Sequence, residues 1–434
     1  MRISTFWLAA SFAIPPVIVL GQDPRAPGGS VAVSSPQQAV AAALARSPAL
    51  RGAAASRQTT QAEAIGAPLR PNPDASVVVE NFGGLGGRGD LRGARGVETT
   101  VGLSQRIEIG GQRAARIAAA ARSGDVAILD YEGARLDLAR DVVAALAEAE
   151  AASRLVGVER ERARLAGETL RAARARVEAG REPLLQAQRA EVVRAGAEIA
   201  VERTRRELDQ ALANLAVLIG APGVELASRQ PWFEDVGPAP RPPLPADPLA
   251  RLSANPDFAR LEAAVAQGNA ALILQRANAV PDVTLQGYVR RFQESRETAF
   301  VAGASIPLPI NDRNQGGIAR ARAELLRAEA EAERGRRSLA ASLVAAEQRQ
   351  DLAWRSVQTL RRDALPAAEG AARLALIGFA EGKFNFLEVL DAQRALSDTR
   401  AQLIEALREF HARRAAAERL RGGEPAGAPN GGGR

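Results

Sequence analysis

The amino-acid sequence predicts a mainly α-helical protein with a small β part, built as two tandem repeats of helix, strand pair, long helix and helix. The first observation is composition, because hydrophobic residues make up 46% of the chain but aromatic residues only 4%. This balance favours long helices packed on small side chains. The second is the stretch from Gln112 to Arg176, which only isolated glycines interrupt. The third is similarity between the two halves of the chain.

The repeat is visible in short phrases that recur about 200 residues apart. LARSPAL, starting at Leu44, matches LSANPDF, starting at Leu252. RVEAGREPLLQAQRAEV, starting at Arg176, resembles GFAEGKFNFLEVLDAQRAL, starting at Gly378. Self-similarity at a fixed offset indicates that one structural unit is present twice.

Five segments follow from this repeat. Residues 1–21 are an apolar stretch after Arg2 and are predicted to be a signal peptide. The first repeat is predicted over 22–220 and the second over 249–421, with a proline-rich connector over 221–248. The glycine- and proline-rich end, 422–434, is predicted to be disordered.

Helices are predicted where apolar residues recur at helical spacing between glycine and proline breaks. Gly180 and Gly382 are predicted to be the turns of two helical hairpins, because glycine adopts the left-handed conformation at a helix end without strain. The predicted helices cover Ser35–Ile65, Gln112–Arg176, Pro183–Ile219, Asp247–Ala279, Asn314–Ile377 and Asn385–Leu420.

Four strands are predicted, over residues 75–83, 97–109, 282–292 and 298–306. From Val97 to Ile109 apolar and polar residues alternate, over a length that reaches the ~9–11 residues of a tilted strand in a bilayer. Four strands do not close a barrel, and an open sheet in lipid leaves backbone groups without partners. Strands that cross a membrane must therefore come from several chains that share one barrel.

Charge and cysteine content limit the possible functions. The formal net charge is +7, but the arginines are mixed with acids, as in VERERARLAGE, and this favours solvated helix surfaces over a nucleic-acid site. The chain contains no cysteine, so disulfides and thiolate metal sites are excluded. Gln22 stands where a lipoprotein would carry its acylated cysteine, so we expect no lipidation. We also expect no enzyme activity, because no nucleophile, base and orienting group occur as a set.

Several phrases resemble the TolC-like outer-membrane efflux channels, and among them the branch that serves heavy-metal pumps, the CzcC-like proteins. They span nearly the whole chain from the first helix to Leu420. The phrases are PNPDASVVVEN, ETTVGLSQRIEIGGQRAARIAAA, IPLPINDRNQGGIARARAE and EGKFNFLEVLDAQRAL.

The resemblance implies a homotrimer with one shared transmembrane β-barrel in outer-membrane lipid and a long periplasmic α-helical barrel. It also implies two partners: an inner-membrane pump of the resistance-nodulation-division class and a periplasmic adaptor, the membrane fusion protein. The chain would then be a passive channel for heavy-metal cations such as cobalt, zinc and cadmium. It would need no cofactor, and it would hold no metal of its own.

The resemblance further implies that the hairpin tips dock the adaptor. It assigns this role to seven residues at the two tips: Ala179, Gly180, Arg181, Glu381, Gly382, Lys383 and Phe384.

The family also narrows its tube just above the tips with acidic side chains, and these positions correspond to Glu388 and Asp391 here. Three chains would place six carboxylates around the axis, an arrangement that favours cations and resists closing. The first repeat has Gln186 and Arg189 at the matching positions, and a contact between Arg189 and Asp391 would act as a latch.

Two alternatives remain open from the sequence. One is a channel of the same fold that serves drug efflux or type I secretion. The other is an exported, soluble coiled-coil protein without a pore.

Overall fold

The computed structural model describes residues 29–82, 96–227, 231–239, 249–381 and 383–423. The predicted signal peptide, most of the predicted C-terminal tail, part of the predicted connector and Gly382 lie outside these residues. The described part of the chain is mainly helical with a small amount of sheet, which confirms the predicted fold class. None of its helices combines the length and the apolar character needed to span a membrane.

The first repeat begins with a short strand and two short helices, continues with a strand pair, and ends with two long antiparallel helices. Its longest helix, α3, has 67 residues and extends ~100 Å at 1.5 Å per residue. The elements are β1 (Val31–Val33), α1 (Pro36–Arg46), α2 (Pro48–Gly66), β2 (Asp74–Glu80), β3 (Glu98–Ile107), α3 (Gln112–Glu178) and α4 (Leu184–Ile219).

The second repeat follows two small elements that lie within the predicted connector, β4 (Val224–Leu226) and α5 (Pro231–Glu234). Its elements are α6 (Pro256–Ala277), β5 (Val283–Phe292), β6 (Thr298–Ser305), α7 (Gln315–Thr359), α8 (Leu365–Ala380) and α9 (Phe386–Leu420).

The predicted proline-rich connector over 221–248 contains a short strand in its described part. β4 pairs in parallel with β1, so that Val31 lies opposite Val224 and Val33 opposite Leu226. Three-residue strands with a partner almost 200 residues away give no periodic signal, and proline-rich neighbours favoured a linker.

Two predicted helices were too long because each contains a proline that begins a new helix. Ser47 separates α1 from α2, and its extended backbone is the conformation that the following Pro48 requires. Asn255 precedes Pro256 in the same way, so the predicted helix from Asp247 begins only at Pro256. The Asn255 side chain caps α6 by accepting a hydrogen bond from the Asp257 amide at 2.7 Å.

The predicted helix Asn314–Ile377 is interrupted by a π-helical turn over Leu360–Ala364, which divides it into α7 and α8. The amide of Leu365 donates to the carbonyl of Leu360, five residues back. Pro366 follows and has no amide hydrogen, so the ordinary helical bond to Arg362 is missing. In the first repeat α3 passes the corresponding region without a break.

The main sheet has the strand order β2-β3-β5-β6 and is antiparallel throughout. Val77, Val101, Val289 and Phe300 lie opposite one another across the four strands, and all four are exposed. This face of the sheet is therefore apolar and uncovered within the chain. Among the described residues, no strand pairs with the outer edge of β2 or of β6.

The helical core lies where α1, α3, α4 and the β1–β4 pair meet, and it consists mainly of Ala, Val and Leu. A second cluster contains the only fully buried aromatic side chains of the described residues, Phe233 and Phe410. Phe233 lies in α5, so the small helix in the connector closes the core between α3, α7 and α9.

Each repeat ends on a left-handed glycine. The Gly220 and Ala221 amides donate to Val217 and Ala216 beyond the end of α4. Gly422 and Gly423 close α9 with the same pair of bonds, to Arg419 and Glu418. Gly422 and Gly423 are the first two residues of the predicted tail, and their amides still satisfy the last carbonyls of the helix.

We expect Gly422→Ala to destabilise the protein more than Gly180→Ala. Both glycines have positive φ, which costs an alanine roughly 1–2 kcal/mol. A Cβ at Gly422 would also lie 2.2 Å from the Ala254 carbonyl oxygen, whereas a Cβ at Gly180 would meet open space. The total for Gly422→Ala should reach about 3 kcal/mol. Thermal unfolding in detergent, followed by circular dichroism, measures both; equal losses would contradict this account.

Candidate functional site

The tip of the first helical hairpin is closed by backbone hydrogen bonds. Gly180 has φ of 69° and donates to the Val177 carbonyl at 3.0 Å, and the Arg181 amide donates to Arg176 at 2.9 Å. This pair of bonds is the Schellman motif, which requires a left-handed residue at the position of Gly180. Ala179, Gly180 and Arg181 are all exposed, so the tip is free to contact another molecule.

The tip of the second hairpin is built in the same way as far as the structure describes it. The Lys383 amide donates to the Gly378 carbonyl at 2.8 Å, the counterpart of the Arg181 bond. Lys383 also forms an ion pair with Glu381 at 2.7 Å. The exposed Phe384 ring lies on Gly378, where a Cβ would come within 2.3 Å of it. The absence of a side chain at Gly378 therefore leaves room for the Phe384 ring.

Arg176 connects the two tips, a contact that the sequence reasoning missed. Its guanidinium lies 4.3 Å from the centre of the Phe379 ring, a cation–π contact between the end of α3 and the end of α8. The same side chain pairs with Glu182 across the first turn at 3.1 Å. Both partners lie three or four residues before their tip glycines, which is the only signal in the sequence that relates them.

The predicted aperture residues lie on the first turns after the tips. Glu388 is exposed and forms a capping box with Asn385: each residue accepts the other's amide through its side chain, at 3.0 and 3.1 Å. Asp391 lies one turn further along α9 and is exposed. Within the described residues it forms no hydrogen bond through its side chain and no ion pair. Of these two predicted aperture residues, Asp391 is therefore the one whose carboxylate has no partner in the described part of the chain.

On the other hairpin Gln186 is half-buried and Arg189 is exposed, beside the buried Ala187 and Ala190. Within the chain, and among the residues described, no ion pair joins Arg189 to Asp391. The predicted latch is thus not formed inside one chain.

The polar face of the sheet carries an ionic cluster. Arg290 pairs with Glu80 at 3.3 Å and Glu98 at 3.2 Å, and it donates to the Thr100 hydroxyl at 3.1 Å. One arginine thus joins β2, β3 and β5. The Tyr288 ring lies on Gly102 of the neighbouring strand, where a Cβ would come within 2.2 Å.

Among the described residues, no three or more His, Cys, Asp or Glu side chains lie together in a way that could hold a metal ion. His411, the single histidine of the chain, is 5% exposed and its Nε2 lies 2.9 Å from the Phe233 carbonyl oxygen. Burial lowers the pKa of His411 to about 4, so the imidazole is neutral at ordinary pH. It packs against Trp232 and Phe410 and has a structural role in the core.

The chain is similar to proteins of one family along most of its length. The sequence profile described as outer membrane efflux protein matches residues 39–221 and 250–423. The cobalt-zinc-cadmium resistance protein CzcC of Cupriavidus metallidurans is 31% identical over 373 residues, which cover 86% of each chain. The nickel-cobalt-cadmium resistance protein NccC of Alcaligenes xylosoxydans xylosoxydans is 29% identical over 309 residues, covering 67% of this chain and 66% of that one.

Solved structures share the fold. The MtrE outer membrane channel of Neisseria gonorrhoeae, in its open state, superimposes with a TM-score of 0.74 at 20% sequence identity. The match covers 90% of this chain and 89% of that chain.

We expect Glu388→Ala to loosen the first turn of α9, and Glu388→Gln to leave it intact. Glutamine keeps an acceptor for the Asn385 amide but removes the charge, whereas alanine removes the capping bond, which contributes about 1 kcal/mol. Hydrogen exchange of the amides in this turn measures the difference, with Asp391→Ala as the control that should not change it. Equally fast exchange in both Glu388 variants would show that the reciprocal bond does not hold the turn.

Proposed function

Because the chain belongs to the outer membrane efflux protein family, we propose that it is the outer-membrane channel of a tripartite efflux system for divalent heavy-metal cations, such as cobalt, zinc and cadmium. The observation that carries the choice of cargo is the similarity to a cobalt-zinc-cadmium resistance protein along 86% of both chains. NccC, whose name also specifies metal resistance, supports the same class of cargo.

The sheet supports assembly of three copies. Its apolar face, and its two edges that no described strand pairs with, suit lipid only if other strands satisfy the edges. A homotrimer would join three four-stranded sheets into one twelve-stranded barrel, above the minimum of about eight strands. The helices, ~100 Å long in α3, would then form the periplasmic tube below it.

The channel itself would be passive. An inner-membrane pump of the resistance-nodulation-division class would supply the energy, and a periplasmic adaptor would connect the pump to the two hairpin tips. The tips offer this adaptor exposed charges of both signs, at Arg181, Glu381 and Lys383, together with the exposed Phe384 ring. No step of this function requires a catalytic group or a bound cofactor.

The aperture would lie one to two turns above the tips. Glu388 and Asp391 from three chains would form a ring of carboxylates that attracts divalent cations and resists closure through repulsion. Gln186 and Arg189 would occupy the corresponding places on the first hairpin. Since Arg189 does not meet Asp391 within one chain, the proposed latch would have to cross a boundary between chains.

A channel of the same fold for organic drugs or secreted proteins is the second candidate, and only the identity of the relatives favours metals over it. The soluble coiled-coil alternative is disfavoured by the sheet, since a soluble rod has no use for a four-stranded apolar face that remains uncovered.

Deleting the gene for this chain should sensitise cells to some of zinc, cobalt, cadmium, nickel and copper, with higher cell content of those metals. Tolerance to organic drugs should not change, because the deleted channel would carry metal cations and not drugs. Growth curves and elemental analysis measure both effects, and restoring the gene should reverse them. Drug sensitivity with normal metal content would retain the channel and exclude the metal assignment.

Asp391→Asn should lower the cation selectivity of single channels in planar bilayers. One charge at 4 Å contributes about 1 kcal/mol in water, so the permeability ratio of cations to anions should fall by about fivefold. Asp398→Asn is the matched control, because Asp398 lies two turns further along the same face of α9 and pairs with Arg162 at 3.8 Å. If both variants select cations as the wild type does, Asp391 does not line the aperture.

A further inference from the structure

The apolar face of β6 continues beyond the end of the sheet. The ladder between β5 and β6 ends at Ser305, yet every second residue remains aliphatic for five residues more. Leu308 is the most exposed of the added residues, at 73%. The stripe consists of Phe300, Ala302, Ala304, Ile306, Leu308 and Ile310, all exposed.

The added residues reduce a shortfall in length. The eight residues of β6 extend ~27 Å, and a tilt of about 40° reduces this to a height of ~20 Å. The apolar band of an outer-membrane barrel is ~25 Å tall. Counted in the same way, the nine residues from Phe300 to Leu308 would extend ~31 Å, or ~23 Å at the same tilt. Beyond Leu308 the chain bends, because the Ile310 amide donates back to the Leu308 carbonyl. The stripe therefore comes closer to the height of the apolar band than the paired strand does.

The segment that carries these residues is held in place. Pro307 and Pro309 fix two backbone angles, and the Ile310 amide donates to the Leu308 carbonyl at 2.8 Å. Arg313 donates from Nε to the Pro309 carbonyl at 3.1 Å. The next residue, Asn314, donates from its side chain to Gln275 at the end of α6 at 2.7 Å. The aliphatic side chains are therefore presented on an ordered support.

A second copy of the chain is a poor partner for this segment. If β6 of one copy pairs with β2 of the next, the residues facing 306–310 are those that precede Asp74. These include Pro71 and Pro73, which have no amide hydrogen to donate. A ladder between copies would therefore lack two of its donors in this region.

Three exposed arginines lie at the same end of the sheet. Arg70 precedes β2, Arg113 begins α3 and Arg313 follows β6, and all three are exposed. Among the described residues none of the three forms an ion pair, in contrast to Arg320, Arg327 and Arg337 of α7, which each pair with a glutamate four residues away. Arg113 is held by a bond from Nε to the Pro68 carbonyl at 2.6 Å.

We propose that residues 306–313 anchor the chain in the periplasmic leaflet of the outer membrane. Ile306, Leu308 and Ile310 enter the acyl chains of phospholipids, and the three arginines bind anionic phosphate groups at the surface. The inference rests on the proposed function, since it requires the sheet to lie in the outer membrane with its helical end toward the periplasm.

Single cysteines test the anchor, because the natural chain has none. Leu308→Cys, Ala302→Cys and Leu326→Cys carry the same environment-sensitive fluorophore, in full-length protein reconstituted into vesicles that contain nitroxide-labelled phospholipid. Ala302 marks the paired part of the stripe, and Leu326 is an exposed leucine of α7. We expect blue-shifted emission and strong lipid-borne quenching at positions 302 and 308, and no lipid-borne quenching at 326.

Other outcomes separate the anchor from the membrane assignment. Quenching at 302, with a label at 308 that is red-shifted and quenched by aqueous iodide, would overturn the anchor and leave the sheet in the membrane. A blue-shifted label at 308 that lipid quenchers do not reach would show that a second copy covers the segment, which also overturns the anchor. Absence of lipid quenching at both positions would overturn the membrane placement itself.

The arginines are tested in nanodiscs of phosphatidylglycerol or phosphatidylcholine. The unfolding temperature of the wild type should be higher in phosphatidylglycerol, and the triple variant of Arg70, Arg113 and Arg313 to Gln should lose this difference. The matched triple variant of Arg320, Arg327 and Arg337 to Gln should keep it. A wild type without lipid preference, or equal behaviour of the two triple variants, would remove the arginines from the proposal.

Discussion

The backbone hydrogen bonds of one four-stranded sheet impose the main constraint on this chain. Its two edge strands, β2 and β6, have no partner on their outer side among the described residues, and one of its faces is apolar and uncovered. In water such a face would promote aggregation, and in lipid the edges would be costly unless other strands satisfy them. A closed barrel shared by several copies would resolve both problems. The oligomer that we propose would therefore satisfy the backbone of the sheet, and the long helices would follow its symmetry.

At the helix ends, the unpaired backbone carbonyls are satisfied by amides of the residues that follow directly in the chain. Gly180, Gly220 and Gly422 each adopt the left-handed conformation and direct two amides to the last carbonyls of a helix. Packing between helices uses small side chains, so few large groups are buried, and most ion pairs along the surface contribute little individually. The exceptions centre on two buried side chains, Glu347 and Arg419, whose partners are partly exposed. Glu347 holds Arg251 and Arg421, and Arg419 reaches Asp137 and Asp257, so the end of α9 is fastened to three other helices.

Periodicity explains how much of this the sequence could predict. The strands and long helices were predictable because many of their residues follow one periodic pattern. The two hairpin tips were predictable because similar sequence phrases occur in both repeats. The pairing of β1 with β4 was missed because three residues form no pattern. The breaks at Ser47 and Asn255 were missed because the apolar pattern continues on both sides of Pro48 and Pro256, and this pattern was given more weight than the prolines that begin new helices. The contact of Arg176 with Phe379 depends on two turns meeting in space, which neither sequence segment reveals by itself.

The two repeats have diverged where their mechanical roles would differ. In the first, α3 runs unbroken to its tip; in the second, the π-helical turn and Pro366 interrupt the corresponding helix. The Glu388 carboxylate accepts a hydrogen bond from the Asn385 amide and so caps α9. This cap holds the turn from which Asp391 projects. The Glu388 carboxylate keeps its charge while one of its oxygens accepts the Asn385 amide. In the proposed aperture Glu388 would therefore contribute to the ring of carboxylates and also hold the first turn of α9, from which Asp391 projects.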